Sequence, residues 1–165
     1  MLDVFEKQLE LYKKKIEVME QVIAFYRANA SELSTKDVLF AKRVLLVEDN
    51  ELHQEIAAEI LFAAGLLVDF AGNGEQAVKI IEAAPSDCYD FILMDLQMPV
   101  KNGFVATEEI RAMEDSKKAN IPIIAITANG FEEDKKHAFE SGMNGFLTKP
   151  ISIDILKSVL TDILK

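Results

Sequence analysis

FILMDLQMP at residues 91–99 sets four apolar residues in unbroken succession before an aspartate, then turns at a proline. A strand with one wet face would alternate apolar and polar side chains, so a continuous run marks a strand buried on both faces. Strands of that kind lie parallel, with helices on each side of the sheet. The same signature recurs upstream at Val44–Val47 and Leu66–Phe70, and downstream at Ile121–Ile126 and Phe146-Leu147. Between the runs lie amphipathic stretches at 51–64, 75–84, 103–114, 131–141 and 152–164, bounded by Gly, Pro, Asn or Asp. Five β/α units over residues 42–165 predict a doubly wound α/β domain built on a five-stranded parallel sheet.

Residues 1–35 follow a different period. Leu2, Phe5, Leu9, Tyr12, Ile16, Met19, Ile23 and Tyr26 are separated by gaps alternating three and four, the seam of a heptad repeat. The spacing predicts one long helix over residues 2–33, roughly 48 Å from the rise per residue. Val4, Leu11, Val18 and Phe25 form a second apolar row beside that seam, wider than a two-stranded coil needs. Self-association into a homo-oligomer follows, either as a bundle of more than two helices or as a dimer whose helices also pack on the α/β domains. A helix folded back on its own domain, a heterologous helix partner and a membrane surface are the alternatives, the last opposed by Glu10, Glu17 and Glu20, which offset Lys13, Lys14 and Lys15. The pattern lapses around Ser31 to Lys36, which gives a linker over 36–41.

Of the 165 residues 28 are acidic and 18 basic, and the formal charge of −10 opposes nucleic acid or an anionic membrane as a bulk electrostatic partner. Residues 1–41 hold six basic and seven acidic side chains, so the excess belongs to the α/β segment. The single cysteine, Cys88, can form neither an internal disulfide nor a cysteine zinc site, as expected of a reduced cytoplasmic thiol. No apolar run approaches the ~20 residues of a membrane span. Asp3, Glu6 and Lys7 interrupt the place where a signal peptide would have its apolar core. The expectation is a cytoplasmic protein without membrane insertion.

Parallel strands release their following residues along one edge, where an open α/β sheet carries its site. Glu48-Asp49-Asn50 follow the first run, Asp95 the third, Thr127-Ala128 the fourth and Lys149-Pro150 the fifth. Alone, each has an ordinary explanation: an Asp or Thr as a cap, a Lys as a surface charge. Together at four strand ends they form a constellation. Three crowded carboxylates persist at neutral pH when a divalent cation neutralises them. All-oxygen donors suit a hard ion, Mg2+ or Mn2+, that keeps water or phosphate oxygens in its other positions. The added lysine and hydroxyl suit a phosphoryl group, and Asp95 is the carboxylate placed to attack phosphorus and form an acyl phosphate.

VLLVEDN at 44–50, FILMDLQMP at 91–99, IIAITAN at 123–129 and GFLTKP at 145–150 resemble the receiver domain of the two-component response-regulator family, over about three-quarters of the chain. The resemblance implies a flavodoxin-like sheet in the order 2-1-3-4-5. It implies Asp95 as phosphoacceptor, Asp49, Asp95 and the Gln97 backbone carbonyl as magnesium ligands, and Glu48 acting on the metal through water. Lys149 would pair with the phosphoryl group, Thr127 would bond another phosphoryl oxygen and move, and Phe146 stands at the family's switch aromatic, where ordinary core packing is the alternative. EDNELHQEIAAEIL at 48–61 and ITANGFEED at 126–134 are similar to receivers of hybrid kinases and phosphorelays, which implies a histidine kinase or histidine phosphotransfer protein as donor. Asn102 and His53 depart from the residues common there, Asp and Asn. His53 and His137 lie in charged helical stretches and read as solvated rather than as phosphodonors.

A magnesium-dependent phosphohydrolase with an aspartyl nucleophile is the competing enzyme reading. Such enzymes place a second aspartate two residues after the first as acid/base, where this chain has Gln97. A scaffold built around the helix, with an inert receiver, is the third.

Overall fold

The structure is a computed structural model that describes residues 38–164. The expected helix over 2–33 with its seam lies outside the described residues. The strands are β1 (Arg43–Val47), β2 (Leu67–Ala71), β3 (Phe91–Asp95), β4 (Ile123–Thr127) and β5 (Gly145–Thr148). They make one parallel sheet in the order β2-β1-β3-β4-β5, the expected doubly wound topology. The helices are α1 (Glu51–Ala63), α2 (Gly74–Ala83), α3 (Gly103–Arg111), α4 (Glu132–Glu140) and α5 (Ile153–Ile163).

Alternate residues of each strand feed two apolar layers. Leu45, Val47, Ile92, Met94, Ile123 and Ala125 pack under α2, α3 and α4 through Ala77, Ile81, Ala106, Ile110 and Ala138. Val44, Leu46, Phe91, Leu93, Ile124 and Ile126 pack under α1 and α5 through Leu61, Leu156 and Leu160. The inner strands β3 and β4 are buried at every position, whereas the edge strand β2 is buried only at Ala71. That difference is why β3 reads as an unbroken apolar run.

All five helices begin at the edge where the strands end. The side chains of Asn50, Asn73, Asn102 and Ser152 accept hydrogen bonds from the first-turn amides of His53, Gln76, Val105 and Ile155, capping α1, α2, α3 and α5. α4 begins after Phe131 with no side-chain cap.

Most boundaries fall within a residue of the expectation, and three differ by more. β4 begins at Ile123 because Pro122 has no amide to donate to a ladder. α3 stops at Arg111, and a separate helical turn at Ser116–Ala119, capped by Asp115, fills the connection to β4. Residues 38–41, placed in a linker from their sequence, form a turn whose Leu39 is fully buried in the α1/α5 layer, while the Ala41 amide donates to the Gly65 carbonyl at 2.9 Å. The packed domain therefore starts at Val38.

Candidate functional site

Strand register brings the acidic residues together. Val47 pairs with Met94, so Glu48 and Asp95 emerge side by side from β1 and β3. Asp95 pairs with Ile126 and Thr127 with Thr148, which brings Thr127 and Lys149 to the same edge. One oxygen from each of Glu48, Asp49 and Asp95 lies within 4.8 Å of the others. Glu48 and Asp95 are almost wholly buried, at 2% and 5% exposure, while Asp49 is open to solvent.

The buried pair is bridged by one cation. The Lys149 ammonium lies 2.7 Å from Asp95 Oδ2 and also donates to Glu48 Oε2. Burial works against the lysine charge, but the hydrogen bonds and the attraction of the two carboxylates outweigh it and hold the Lys149 pKa above its ordinary value. The remaining oxygens are also engaged: Asp95 Oδ1 accepts from the Gln97 amide at 3.1 Å, and Glu48 Oε1 from the Asn50 amide at 3.2 Å. Three carboxylates against one ammonium leave two negative charges, which one divalent cation would neutralise. The donor set is all oxygen, as magnesium requires.

The loop that carries Asp95 is closed tightly behind it. The Gly103 amide donates to the Leu96 carbonyl at 3.1 Å, and a Cβ at Gly103 would fall 2.2 Å from the Asp95 carbonyl oxygen. Only glycine lets the start of α3 approach the Asp95 backbone so closely. Thr127 is buried, its Oγ1 accepting from the Asn129 amide at 3.3 Å, and its carbonyl accepts from the Lys149 amide at 2.8 Å. Phe146 is half-buried against the apolar layer under α2, α3 and α4. Gln97 is exposed, with its amide turned to Asp95.

The sequence reading missed the support around Glu48. His53 Nδ1 lies 3.4 Å from Glu48 Oε1, and Gln54 Nε2 donates to the Glu48 carbonyl at 2.6 Å. The available signal was capping: with Asn50 as cap, His53 is the third helical residue, whose side chain reaches back over the helix start. His137 also has a partner, its ring stacked on Phe104. Both were expected to be solvated; each is exposed yet engaged.

Residues 44–161 match the family model of the response regulator receiver domain. Hybrid signal transduction histidine kinase K of Dictyostelium discoideum is 37% identical over 123 residues, covering 72% of this chain and 10% of the kinase. Hybrid signal transduction histidine kinase B of the same organism is 41% identical over 125 residues, covering 70% and 6%. The chain thus spans a tenth or less of these curated relatives. Among solved structures, the receiver domain of a sensor histidine kinase of Pseudomonas aeruginosa, with a magnesium ion coordinated in its active-site cleft, is 38% identical. It has a TM-score of 0.66 and covers 76% of this chain and 99% of that one. A Saccharomyces cerevisiae response-regulator receiver domain, crystallised with a histidine phosphotransfer signalling protein, is 34% identical with a TM-score of 0.65, covering 76% and 90%. With this match over most of its length and the acidic edge that the fold builds, the chain belongs to the response regulator receiver domain family, as a phosphoacceptor module of the kind found in hybrid histidine kinases and phosphorelays.

Proposed function

We propose that Asp95 takes a phosphoryl group from a phosphohistidine, carried by a histidine kinase or a histidine phosphotransfer protein, in a reaction that requires Mg2+ or Mn2+. The observation that carries this reading is the buried Asp95 carboxylate, beside Glu48 and Asp49 and bonded to Lys149. An Asp95 oxygen forms the new P–O bond as the P–N bond to the donor imidazole breaks, the electron pair leaving on nitrogen. The Lys149 ammonium, now on the carboxylates, transfers to a phosphoryl oxygen. The Thr127 hydroxyl exchanges its Asn129 contact for another. Asp49, Asp95 and the Gln97 carbonyl would hold the metal, with Glu48 reached through water, and the metal supplies charge neutralisation for the incoming phosphate. Movement of Thr127 and repacking of Phe146 then alter the surface of α4, β5 and α5 by a population shift.

No helix among the described residues is long and apolar enough to cross a membrane. We place the protein in the cytoplasm and assign homo-oligomerisation to the helix expected over residues 2–33, through its seam from Leu2 to Tyr26. Light scattering of the full chain and of one lacking residues 1–35 tests the second point, since a monomeric full-length chain would overturn it. Intact-mass measurement after incubation with acetyl phosphate and Mg2+ tests phosphoryl transfer to Asp95. The chain should gain one phosphoryl mass, Asp95→Asn should gain none, and chelation should stop the gain. A phosphorylated Asp95→Asn variant would refute the site.

A further inference from the structure

Among the described helices α4 is held differently from the rest. It buries only Ala138, and it alone starts without a side-chain cap. Few apolar contacts and an open first turn are the marks of an element with low local stability. Its far end, in contrast, is pinned. Arg111, the last residue of α3, donates through Nε to the Gly142 carbonyl at 2.9 Å and through Nη2 to Asn144 Oδ1 at 2.8 Å, on the segment leaving α4. Nη1 reaches the Ala119 and Ile121 carbonyls at 2.7 and 2.8 Å, so one guanidinium, which stays charged and has no other state to adopt, locks this corner to the entry of β4.

Between the pinned end and the open end there is one aromatic contact. The His137 ring of α4 stacks on Phe104 of α3, with centroids 4.0 Å apart and planes 14° from parallel. Phe104 follows Gly103, the residue pressed against the Asp95 backbone. The open end of α4 continues from Thr127 through residues 128–131, all exposed. A displacement of Thr127 is thus transmitted to the end of α4 that nothing caps, while the opposite end stays fixed.

We infer that α4 is a lever hinged at the Arg111–Gly142 corner, and that the Phe104–His137 stack is the catch holding it in its unphosphorylated position. This rests on the reading that phosphate on Asp95 draws Thr127 inward. The catch adds a ring contact to the resting packing, so removing it shifts the balance toward the displaced packing by the strength of one aromatic pair, about two- to tenfold. While the displaced packing is the minor one and is the one that accepts phosphate, the rate of phosphoryl gain rises with its population.

The test uses the full chain with His137→Ala, which removes the ring at an exposed position, and His137→Phe, which keeps one. Amide NMR shifts of residues 131–140 and the rate of phosphoryl gain from acetyl phosphate with Mg2+ are read for each. Without phosphate, the His137→Ala shifts should lie part of the way along the line from the resting to the phosphorylated parent, and its phosphorylation should be about two- to tenfold faster. His137→Phe should match the parent. If the parent responds to phosphate over residues 131–140 but His137→Ala rests at the parent's unphosphorylated shifts and reacts at the parent's rate, the catch is refuted. If the parent itself shows no response there, the switch reading has failed and the lever falls with it.

Discussion

Replacing Lys149 with Met keeps the unbranched apolar stem of the side chain and removes the one cation that bridges Glu48 and Asp95. Both carboxylates are nearly without solvent, so water replaces their lost hydrogen bonds poorly. Breaking a buried ion pair from one side costs about 3–5 kcal/mol. The Lys149 side chain is 21% exposed, and the partial access of water at that end reduces the figure to about 2–4 kcal/mol. Mg2+ should offset part of the loss, because the variant has the same oxygens and no ammonium competing for them. Saturation at a hundred times Kd adds about 2.7 kcal/mol. At one fixed Mg2+ concentration the variant should bind tighter and recover about 1–2 kcal/mol more than the parent gains, each tenfold in affinity being worth about 1.4 kcal/mol. Urea denaturation of parent and variant, with and without Mg2+, measures all four stabilities. Equal stability of the two metal-free proteins, or an equal gain from Mg2+ in both, would refute the claim that lysine and metal answer the same buried charge.

Gly103→Ala should cost about 1–3 kcal/mol in urea denaturation and slow phosphorylation, because its Cβ meets the Asp95 carbonyl at 2.2 Å and the backbone must yield; an unchanged rate would show that α3 does not set the position of Asp95. Val100 is a β-branched residue at φ 70° and is 79% exposed, so Val100→Gly should raise stability by roughly 0.5–1 kcal/mol net of the entropy glycine adds to the unfolded chain. Burial, aided by the Asp69 carboxylate, pushes the Tyr89 pKa up to about 12 from an ordinary value near 10. The folded state then holds this proton where the unfolded state releases it, so the tyrosine's contribution is complete below pH 10 and lost as pH rises toward 12. Tyrosinate absorbance should show a component near pH 12 that disappears in Tyr89→Phe.

The sheet was legible because its inner strands are buried on both faces, and that burial writes itself directly into FILMD and IIAIT. Glu48, Asp49, Asp95, Thr127 and Lys149 were legible for a related reason: in a parallel sheet the position after a strand is a place in space. What failed depended on contacts without a period. Leu39 looked like linker because a single buried leucine after a polar stretch has no repeat to announce it. Arg111 gave no signal, since its carbonyl partners near β4 and beyond α4 lie eight to 31 residues away and any residue supplies a carbonyl. His53 is exposed on its helix as expected, but its approach to Glu48 went unseen, because its place in the first turn of α1 rather than the charges around it decides where its side chain goes.

The convergence of helix starts on the acidic edge sets a further property of the site. A helix presents about half a positive charge at its N-terminus, and the beginnings of α1 and α3 follow directly from the loops that carry Asp49 and Asp95. That field favours an anion and opposes a metal ion, whereas the carboxylates do the reverse. Each guest alone meets one helpful and one adverse sign. A cation and a phosphoryl group arriving together present each sign to its opposite, so each raises the affinity for the other by the same factor. The edge would then behave as a coincidence detector, holding Mg2+ loosely until phosphate is present.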